Sequence, residues 1–297
     1  MTNNEQALQV SASQVNSPPN MLRIEALEHE VDLLAKRFGA AQPFPHVVLD
    51  NLIAIDIYGE ANFPTMDWGG WYRSPERYQR NKVTCQDPAK IPSPMIALIE
   101  EMSRPRFLRF LERLSGIDGL MPDPYLEGGG MHMSGPGGIL SPHTDFHLHP
   151  RLGVYRRLNL ILYLEHEWSE DDGGCLELSD RTGNTTNLVI PAYGRAVIFE
   201  TSDHSYHGFP VPVREGRTRR SIALYYYTAT DSARFGGLLT TDWQDHGVGG
   251  AVFRARVALY KALLGVARAF TMAAHLANPN QGGATLKDAW QRRHSRA

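Results

Sequence analysis

The chain has 297 residues, of which 42% are hydrophobic and 21% charged, a composition typical of a soluble globular protein. Its formal net charge of −2 argues against nucleic acid or an anionic membrane surface as the main partner. Cys85 and Cys175 lie far apart, in neither a C-x-x-C nor a disulfide-framework spacing, so we expect a reducing, cytoplasmic location. No signal peptide or membrane span is predicted, because no apolar run is long enough.

The first part of the chain predicts a tail and then a helix. Residues 1–20 are rich in Asn, Gln, Ser and Pro and predict a disordered tail. Residues 21–43 predict an N-terminal helix that ends near Gly39, a residue common at helix C-termini. Its apolar positions recur at spacings of three and four: Ile24, Leu27, Val31, Leu34 and Phe38.

The next part mixes a strand, an irregular segment and a second helix. The apolar run 44–53 predicts a strand, whereas residues 60–92, with the aromatic stretch Trp68–Tyr78, predict an irregular loop that faces the substrate. A helix is predicted from Pro94 to Leu114, with Pro105 dividing or kinking it.

Short β-rich runs separated by Gly, Asp and Pro then fill residues 128–228 and predict a β-sandwich or barrel. These runs are Met131–Met133, Ile139–His143, Leu158–Leu164, Cys175–Leu178, Leu188–Ile190, Ala196–Glu200 and Ser221–Thr228. Residues 231–297 are predicted as a C-terminal helical extension, with its helix over 249–277. That helix packs on the barrel, covers the pocket or makes a homodimer contact.

The motif His143-Thr144-Asp145, followed far along the chain by His207, offers the ligands of a non-haem iron site. Two imidazoles and one carboxylate hold Fe(II) on one face and leave positions open for a co-substrate and dioxygen. A histidine and an aspartate two residues apart project to the same side of an extended strand. We therefore predict that these three residues ligate iron and form the catalytic centre.

Other histidines compete for the distal position, since the chain carries 12 of them. His204 precedes His207 by three positions, and His147 and His149 share a strand face with Asp145. His207 is preferred because it leads directly into the segment that carries a basic residue. His204 and His147 are then neighbours of the site, substrate contacts or surface histidines.

Arg219 is the candidate anchor for an acidic co-substrate. A 2-oxo acid can chelate the metal and supply the two electrons that dioxygen cleavage needs, and its distal carboxylate requires a fixed cation. Strand alternation places Arg219, Ser221 and Ala223 on one face, so the Ser221 hydroxyl can donate to the same carboxylate.

These residues resemble the prolyl 4-hydroxylase-like branch of the iron(II)/2-oxoglutarate-dependent dioxygenase superfamily. The matching stretch runs roughly over Phe44–Thr228, and its strongest parts are the segments 142–145, 158–164, 173–178, 207–208 and 219–227. For residues 44–230 the resemblance implies a mainly β domain. Its core is a double-stranded β-helix, a cupin-like jelly-roll with helices packed on one sheet.

The resemblance also implies roles for individual residues. It implies His143, Asp145 and His207 as iron ligands and Arg219 as the anchor of the 2-oxoglutarate C5-carboxylate.

Two further residues follow from it. Tyr163 is implied to donate a hydrogen bond to the same carboxylate, and Asn159, on the same strand face, is a candidate to line the same pocket. The family often places its basic residue nine to eleven positions after the distal histidine, whereas Arg219 is twelve after His207, so Arg217 is an open alternative.

The implied activity is hydroxylation of an unactivated C–H bond with Fe(II), 2-oxoglutarate and O2, releasing succinate and CO2. Desaturation, cyclisation or epimerisation by the same iron chemistry, a non-catalytic metal-binding jelly-roll sensor, and a metal-assisted hydrolase are the alternatives. The substrate is expected to be a small polar molecule or a peptidyl residue. Polar candidates for its pocket are His147, His149, Arg151 and Arg181.

Overall fold

The computed structural model describes residues 21–57, 62–73, 78–183, 185–231, 241–243 and 251–277. The predicted tail over 1–20 lies outside these residues, as do the parts 232–240, 244–250 and 278–297 of the predicted C-terminal extension.

Four α-helices lie in the described part of the chain: α1 (Ile24–Ala40), α2 (Ser93–Glu101), α3 (Pro105–Ser115) and α4 (Ala251–Ala277). The second predicted helix is divided at Pro105, which takes the first position of α3 because a proline there loses no helical hydrogen bond. Gly116 ends α3 with φ 70°, a left-handed conformation that glycine adopts without a Cβ clash. None of the described helices combines the length and the apolar character needed to cross a membrane.

Twelve strands form one antiparallel, jelly-roll-like sheet. They are β1 (His46–Leu49), β2 (Tyr72–Arg73), β3 (Gln79–Cys85), β4 (Met121–Pro122), β5 (Gly130–Thr144), β6 (Tyr155–Tyr163), β7 (Leu176–Ser179), β8 (Thr185–Val189), β9 (Ala196–Glu200), β10 (Tyr206–Phe209), β11 (Arg219–Thr228) and β12 (Asp242–Trp243). The main path runs β1-β9-β6-β11-β5-β10-β7-β8, with β3 and β12 also paired to β5.

The long strand β5 joins the two halves of this sheet. Its first part pairs with β11 from Gly130 to Ser134, and its second part pairs with β10 from Leu140 to His143. Because β5 has different partners along its length, the sheet folds back on itself, and the end of β5 lies beside β10. The predicted mainly β jelly-roll with flanking helices is confirmed.

The sheet buries both faces. On β6, Leu158, Leu160 and Leu162 pack in one apolar cluster with residues of α1, α2 and α3. The alternate residues Ile161 and Tyr163 belong to a second cluster inside the barrel. Because strand side chains alternate, one strand supplies the helix-packed core and the wall of the interior.

Several predicted boundaries need correction. Helix α1 continues through Gly39 to Ala40, so Gly39 is not its cap. The segment 60–92 is not wholly irregular, since it contains β2 and β3. The two runs predicted on either side of Gly135 form the single strand β5.

Strand β10 was absent from the prediction because its four residues include a histidine and a glycine.

Candidate metal centre

Three elements bring His143, Asp145 and His207 together. His143 lies near the end of β5, Asp145 directly follows that strand, and His207 on β10 pairs across from His143. One ligand atom from each residue lies within 4.8 Å of the others. Each histidine Nε2 is 3.4 Å from a carboxylate oxygen of Asp145. The two imidazoles and the carboxylate therefore converge on one point.

A backbone carbonyl group fixes the orientation of each imidazole ring. His143 Nδ1 donates to the carbonyl oxygen of Ser141 at 2.9 Å, and His207 Nδ1 donates to that of Ser205 at 3.1 Å. A carbonyl only accepts, so the proton is on Nδ1 and each Nε2 keeps its lone pair toward Asp145. This is the backbone support that metal-binding histidines usually have.

Close strand approach depends on a glycine next to His207. A Cβ at Gly208 would lie 2.7 Å from the carbonyl oxygen of Leu140 and 2.8 Å from the nitrogen of Pro142. The glycine thus lets β10 approach β5 closely enough for the two histidines to meet, with ring centroids 4.5 Å apart.

Two side chains hold the carboxylate of Asp145. Arg156 Nη1 lies 2.8 Å from Oδ2, and Asn159 Nδ2 donates to the same oxygen at 2.5 Å. Burial opposes ionisation, but the nearby charge of Arg156 holds the Asp145 pKa well below its usual range. Asp145 is therefore an anion.

The donor set fits a divalent ion. Donors bound at about 2.1 Å to one ion lie roughly 3–3.5 Å apart, which agrees with the two separations seen here. Burial and repulsion from His207 lower the pKa of His143, which favours the neutral imidazole that a metal requires. Two neutral imidazoles and one carboxylate suit Fe(II) and leave coordination positions open.

The competing histidines point elsewhere. His204 is exposed on the loop before β10. His147 and His149 are fully buried, but their Nε2 atoms contact Asp231 at 2.5 Å and Asp123 at 3.0 Å. All three lie apart from the convergent triad, and neither Arg151 nor Arg181 is among the residues that line its cavity.

A cavity of about 240 Å³ opens over the triad. Its described lining includes Asn159, Ile161, Leu176, Phe209, Arg219, Ser221, Ala223, Tyr225 and Trp243. Alternation along β11 therefore places Arg219, Ser221 and Ala223 on the interior face, as the sequence predicted. Asn159 faces the cavity too, although it binds Asp145 rather than Arg219.

Arg219 is held rigidly at the wall of this cavity. Its Nε donates to the carbonyl oxygen of Gly174 at 2.8 Å, and its Nη2 donates to the Tyr163 hydroxyl at 3.2 Å. Burial raises the Tyr163 pKa, so this hydroxyl keeps its proton for donation. Arg217 instead donates to the Glu167 carbonyl oxygen at 2.5 Å and pairs with Asp172, outside the cavity.

Three residues of this region were not predicted as site residues. Arg156 binds Asp145, Lys82 lines the cavity, and Trp243 stacks on the ring of His143 with centroids 4.4 Å apart. No local motif marks them, because each depends on strand pairing.

A family model and two curated relatives match parts of this chain. Residues 129–227 match the 2OG-Fe(II) oxygenase superfamily, a segment that contains the triad and Arg219. Prolyl 3-hydroxylase OGFOD1 of Xenopus laevis is 32% identical over 77 residues, which are 24% of this chain and 15% of that protein. Prolyl 3-hydroxylase OGFOD1 of Mus musculus is 24% identical over 193 residues, 62% of this chain and 33% of that protein. The chain thus spans a third or less of these curated relatives.

Two solved structures are similar as well. A prolyl hydroxylase from Trichoplax adhaerens, in complex with a hypoxia inducible factor oxygen degradation domain peptide fragment, has 14% identity and a TM-score of 0.47. That alignment covers 69% of this chain and 91% of the other. A prolyl 4-hydroxylase from Phytophthora capsici has 19% identity and a TM-score of 0.48, over 71% of this chain and 69% of the other.

Proposed function

We propose that this chain, whose residues 129–227 belong to the 2OG-Fe(II) oxygenase superfamily, is an iron(II)- and 2-oxoglutarate-dependent dioxygenase. It hydroxylates an unactivated C–H bond and releases succinate and CO2. The observation that carries the proposal is the convergence of His143, Asp145 and His207 in a cavity that also holds Arg219.

In this proposal each polar side chain has a defined task. His143, Asp145 and His207 hold Fe(II), which supplies the redox chemistry that activates O2, with 2-oxoglutarate as the two-electron donor. Arg219 binds the C5-carboxylate of 2-oxoglutarate through its guanidinium, whose planar donors match a carboxylate.

Neighbours support that carboxylate site. The Tyr163 hydroxyl accepts a hydrogen bond from Arg219 and donates its own proton to the carboxylate, and the Ser221 hydroxyl lies on the same interior face. Apolar walls at Ile161, Leu176 and Phe209 limit water around the anchor and strengthen its hydrogen bonds.

The test is turnover of 2-oxoglutarate with Fe(II), measured as succinate and CO2 with and without O2. Asp145→Ala is expected to lose turnover, because the ion loses its only anionic ligand among the described cavity residues. Arg219→Met removes charge-assisted hydrogen bonds of about 1.5–3 kcal/mol, so the KM for 2-oxoglutarate rises about 10- to 150-fold. Arg217→Met is the matched control and stays near wild type.

Full turnover by Asp145→Ala, or turnover that does not depend on O2, would contradict the proposal. A metal-assisted hydrolase would need no Arg219, and a sensor would bind metal without forming succinate. Retained activity in Arg219→Met would favour the first alternative, and metal binding without succinate would favour the second.

The identities of the substrate and partners are part of the proposal. The curated relatives are named prolyl hydroxylases, which favours hydroxylation and a peptidyl residue or a small polar molecule as substrate. A cytoplasmic location is consistent with the two free cysteines. A homodimer contact through α4 is supported by its exposed apolar side chains Leu259, Leu263 and Phe270.

A further inference from the structure

Lys82 is a second basic side chain in the cavity. Strand pairing places Arg219 across from Ser134 on β5, and Ser134 across from Lys82 on β3. Residues opposite each other in antiparallel strands project to the same side, so Lys82 and Arg219 face the same interior. Two strand spacings separate their backbones, about 10 Å.

A local distortion of β3 aims Lys82 inward. The pairing of β3 with β5 shifts between Arg80 and Lys82, and Asn81 adopts φ 44° there. Only a few non-glycine residues tolerate this conformation, asparagine foremost. The shift lets Gln79 and Lys82 both line the cavity, although strict alternation would place residues three apart on opposite faces.

No ion pair is found for Lys82 within the part of the chain that the structure describes. Asp145 is the only acidic side chain among the described cavity-lining residues, and Arg156 already pairs with it. His132, opposite Thr84 on β5, adds no second positive charge, because burial and the charge of Lys82 depress its pKa. Burial and repulsion from Arg219 lower the pKa of Lys82 to about 8.

The loaded site keeps an excess of positive charge. The two charges of Fe(II) and the two of 2-oxoglutarate cancel, as do those of Asp145 and Arg156. The positive charges of Arg219 and Lys82 remain at the wall of the cavity. Burying an unpaired cation is costly unless a ligand neutralises it, and such a cavity favours anions.

We propose that Lys82 binds an oxyanion of the substrate, a carboxylate or a phosphate, and so restricts the enzyme to anionic substrates. This inference rests on the proposed dioxygenase function, since it assigns Arg219 to 2-oxoglutarate. Thr84 and Gln86 line the same part of β3 and its end and provide further hydrogen-bond donors for the anion.

The first experiment measures anion binding without turnover. The full chain is loaded with Zn(II) and saturating 2-oxoglutarate, and acetate or inorganic phosphate is titrated at constant ionic strength while NMR shifts are followed. The wild type is expected to bind at least one of them, and the stronger of the two identifies the oxyanion class. Lys82→Gln should weaken binding at least about tenfold, as loss of a charge-assisted hydrogen bond does.

Arg80→Gln is the matched control, because Arg80 lies on the same strand, is exposed and is absent from the cavity lining. It should leave anion binding within about twofold of wild type. Failure of both anions to bind the wild type, or equal binding by Lys82→Gln, overturns the inference. A loss of 2-oxoglutarate affinity in Lys82→Gln with unchanged anion binding also overturns it, since Lys82 would then be part of the co-substrate site.

The second experiment uses turnover. Carboxylate compounds and their primary amides are screened in pairs for stimulated succinate release. The carboxylate compounds should stimulate succinate release. Lys82→Gln should raise the KM for these compounds about tenfold and leave the KM for 2-oxoglutarate unchanged. Activity of the amides alone overturns the inference but leaves the dioxygenase intact. A wild type that never binds or consumes 2-oxoglutarate refutes the proposed function instead.

Discussion

Replacing Arg156 by methionine tests whether this arginine stabilises the buried carboxylate of the metal centre. Only 1% of the Arg156 side chain and 10% of that of Asp145 are exposed, and Nη1 lies 2.8 Å from Oδ2. The guanidinium also lies between two rings, 3.8 Å from the centroid of Phe146 and 3.6 Å from that of Tyr225. Removing the arginine therefore leaves Asp145 charged, buried and without its closest cation.

The expected loss follows from that geometry. Removing one partner of a buried ion pair costs about 3–5 kcal/mol, because the remaining charge stays desolvated. Methionine fills the space between the two rings and keeps contact with them, so the loss reports mainly the charge. Arg156→Lys keeps the charge but not the planar group between the rings, and we expect an intermediate loss.

The assay is urea unfolding of the metal-free protein in chelator, because a divalent cation would itself replace the lost positive charge. Arg156→Met, Asp145→Asn and the double variant form a thermodynamic cycle. The two single variants together should lose about 2–3 kcal/mol more unfolding free energy, as a sum, than the double variant loses. Arg113→Met is the control. Arg157 is not suitable for this purpose, because its side chain is only 15% exposed and lies near the buried Glu200. The exposed pair of Arg113 with Asp32, at 3.1 Å, is the surface reference, and Arg113→Met should cost about 1 kcal/mol or less.

Two results would refute this reasoning. One is a loss below about 1 kcal/mol in Arg156→Met, which would mean that the pair is no stronger than a surface ion pair. The other is additivity of the two single losses within about 0.5 kcal/mol, which would mean that the two side chains act independently.

Three further outcomes are expected. Burial raises the Glu165 pKa from its usual value of 4.5 to about 7. The free energy of unfolding should therefore fall by about 3 kcal/mol between pH 4.5 and 8. In urea titrations at both pH values, Glu165→Gln should flatten that decline. Gly173→Ala should destabilise the fold by several kcal/mol in the same assay, since φ is 66° and a Cβ would lie 1.9 Å from the carbonyl oxygen of Pro212; a loss under about 1 kcal/mol would contradict that contact. Ni(II) should quench tryptophan emission because Trp243 stacks on His143, and Trp243→Phe should remove most of that change; an unaltered quench would place the ion elsewhere.

The parts of the fold that periodicity controls were predictable from the sequence. Strand β9 has the predicted limits Ala196–Glu200, because five consecutive buried positions between turn residues leave little choice. The helix break at Pro105 follows from the ring of proline, which cannot continue a helix from the preceding turn. The shared interior face of Arg219 and Ser221 follows from alternation along an unbroken strand.

The same reasoning fails wherever strand pairing is irregular. Strand β3 was predicted as part of a loop because Gln79–Cys85 is mostly polar, with the left-handed residue Asn81 at its middle. Strand β5 appeared as two strands because Gly137 and Gly138 interrupt its apolar pattern, yet the chain continues through them. A residue count along one strand cannot reveal a shift that depends on its partner.

Two of the three residues around the metal centre that escaped prediction, Arg156 and Lys82, lie at such shifts. The pairing of β6 with β11 goes from Tyr226 opposite Leu158 to Tyr227 opposite Arg156, which leaves Arg157 as an extra residue. This bulge inverts the alternation and turns Arg156 toward Asp145 instead of toward the helices.

The shift between Arg80 and Lys82 likewise turns Lys82 toward the cavity. The shift between His207 and Phe209 lets two residues of β5 that are three apart, Leu140 and His143, face the same cavity. Three irregularities around one cavity are consistent with the tendency of β-bulges to re-aim side chains at active sites. Their positions imply that the charges near the ion depend on pairing register. A variant that disfavours the left-handed conformation at Asn81, such as Asn81→Val, should therefore displace Lys82 and weaken anion binding while Arg219 keeps its affinity for 2-oxoglutarate. Unchanged anion binding in a folded Asn81→Val variant would separate the position of Lys82 from this distortion.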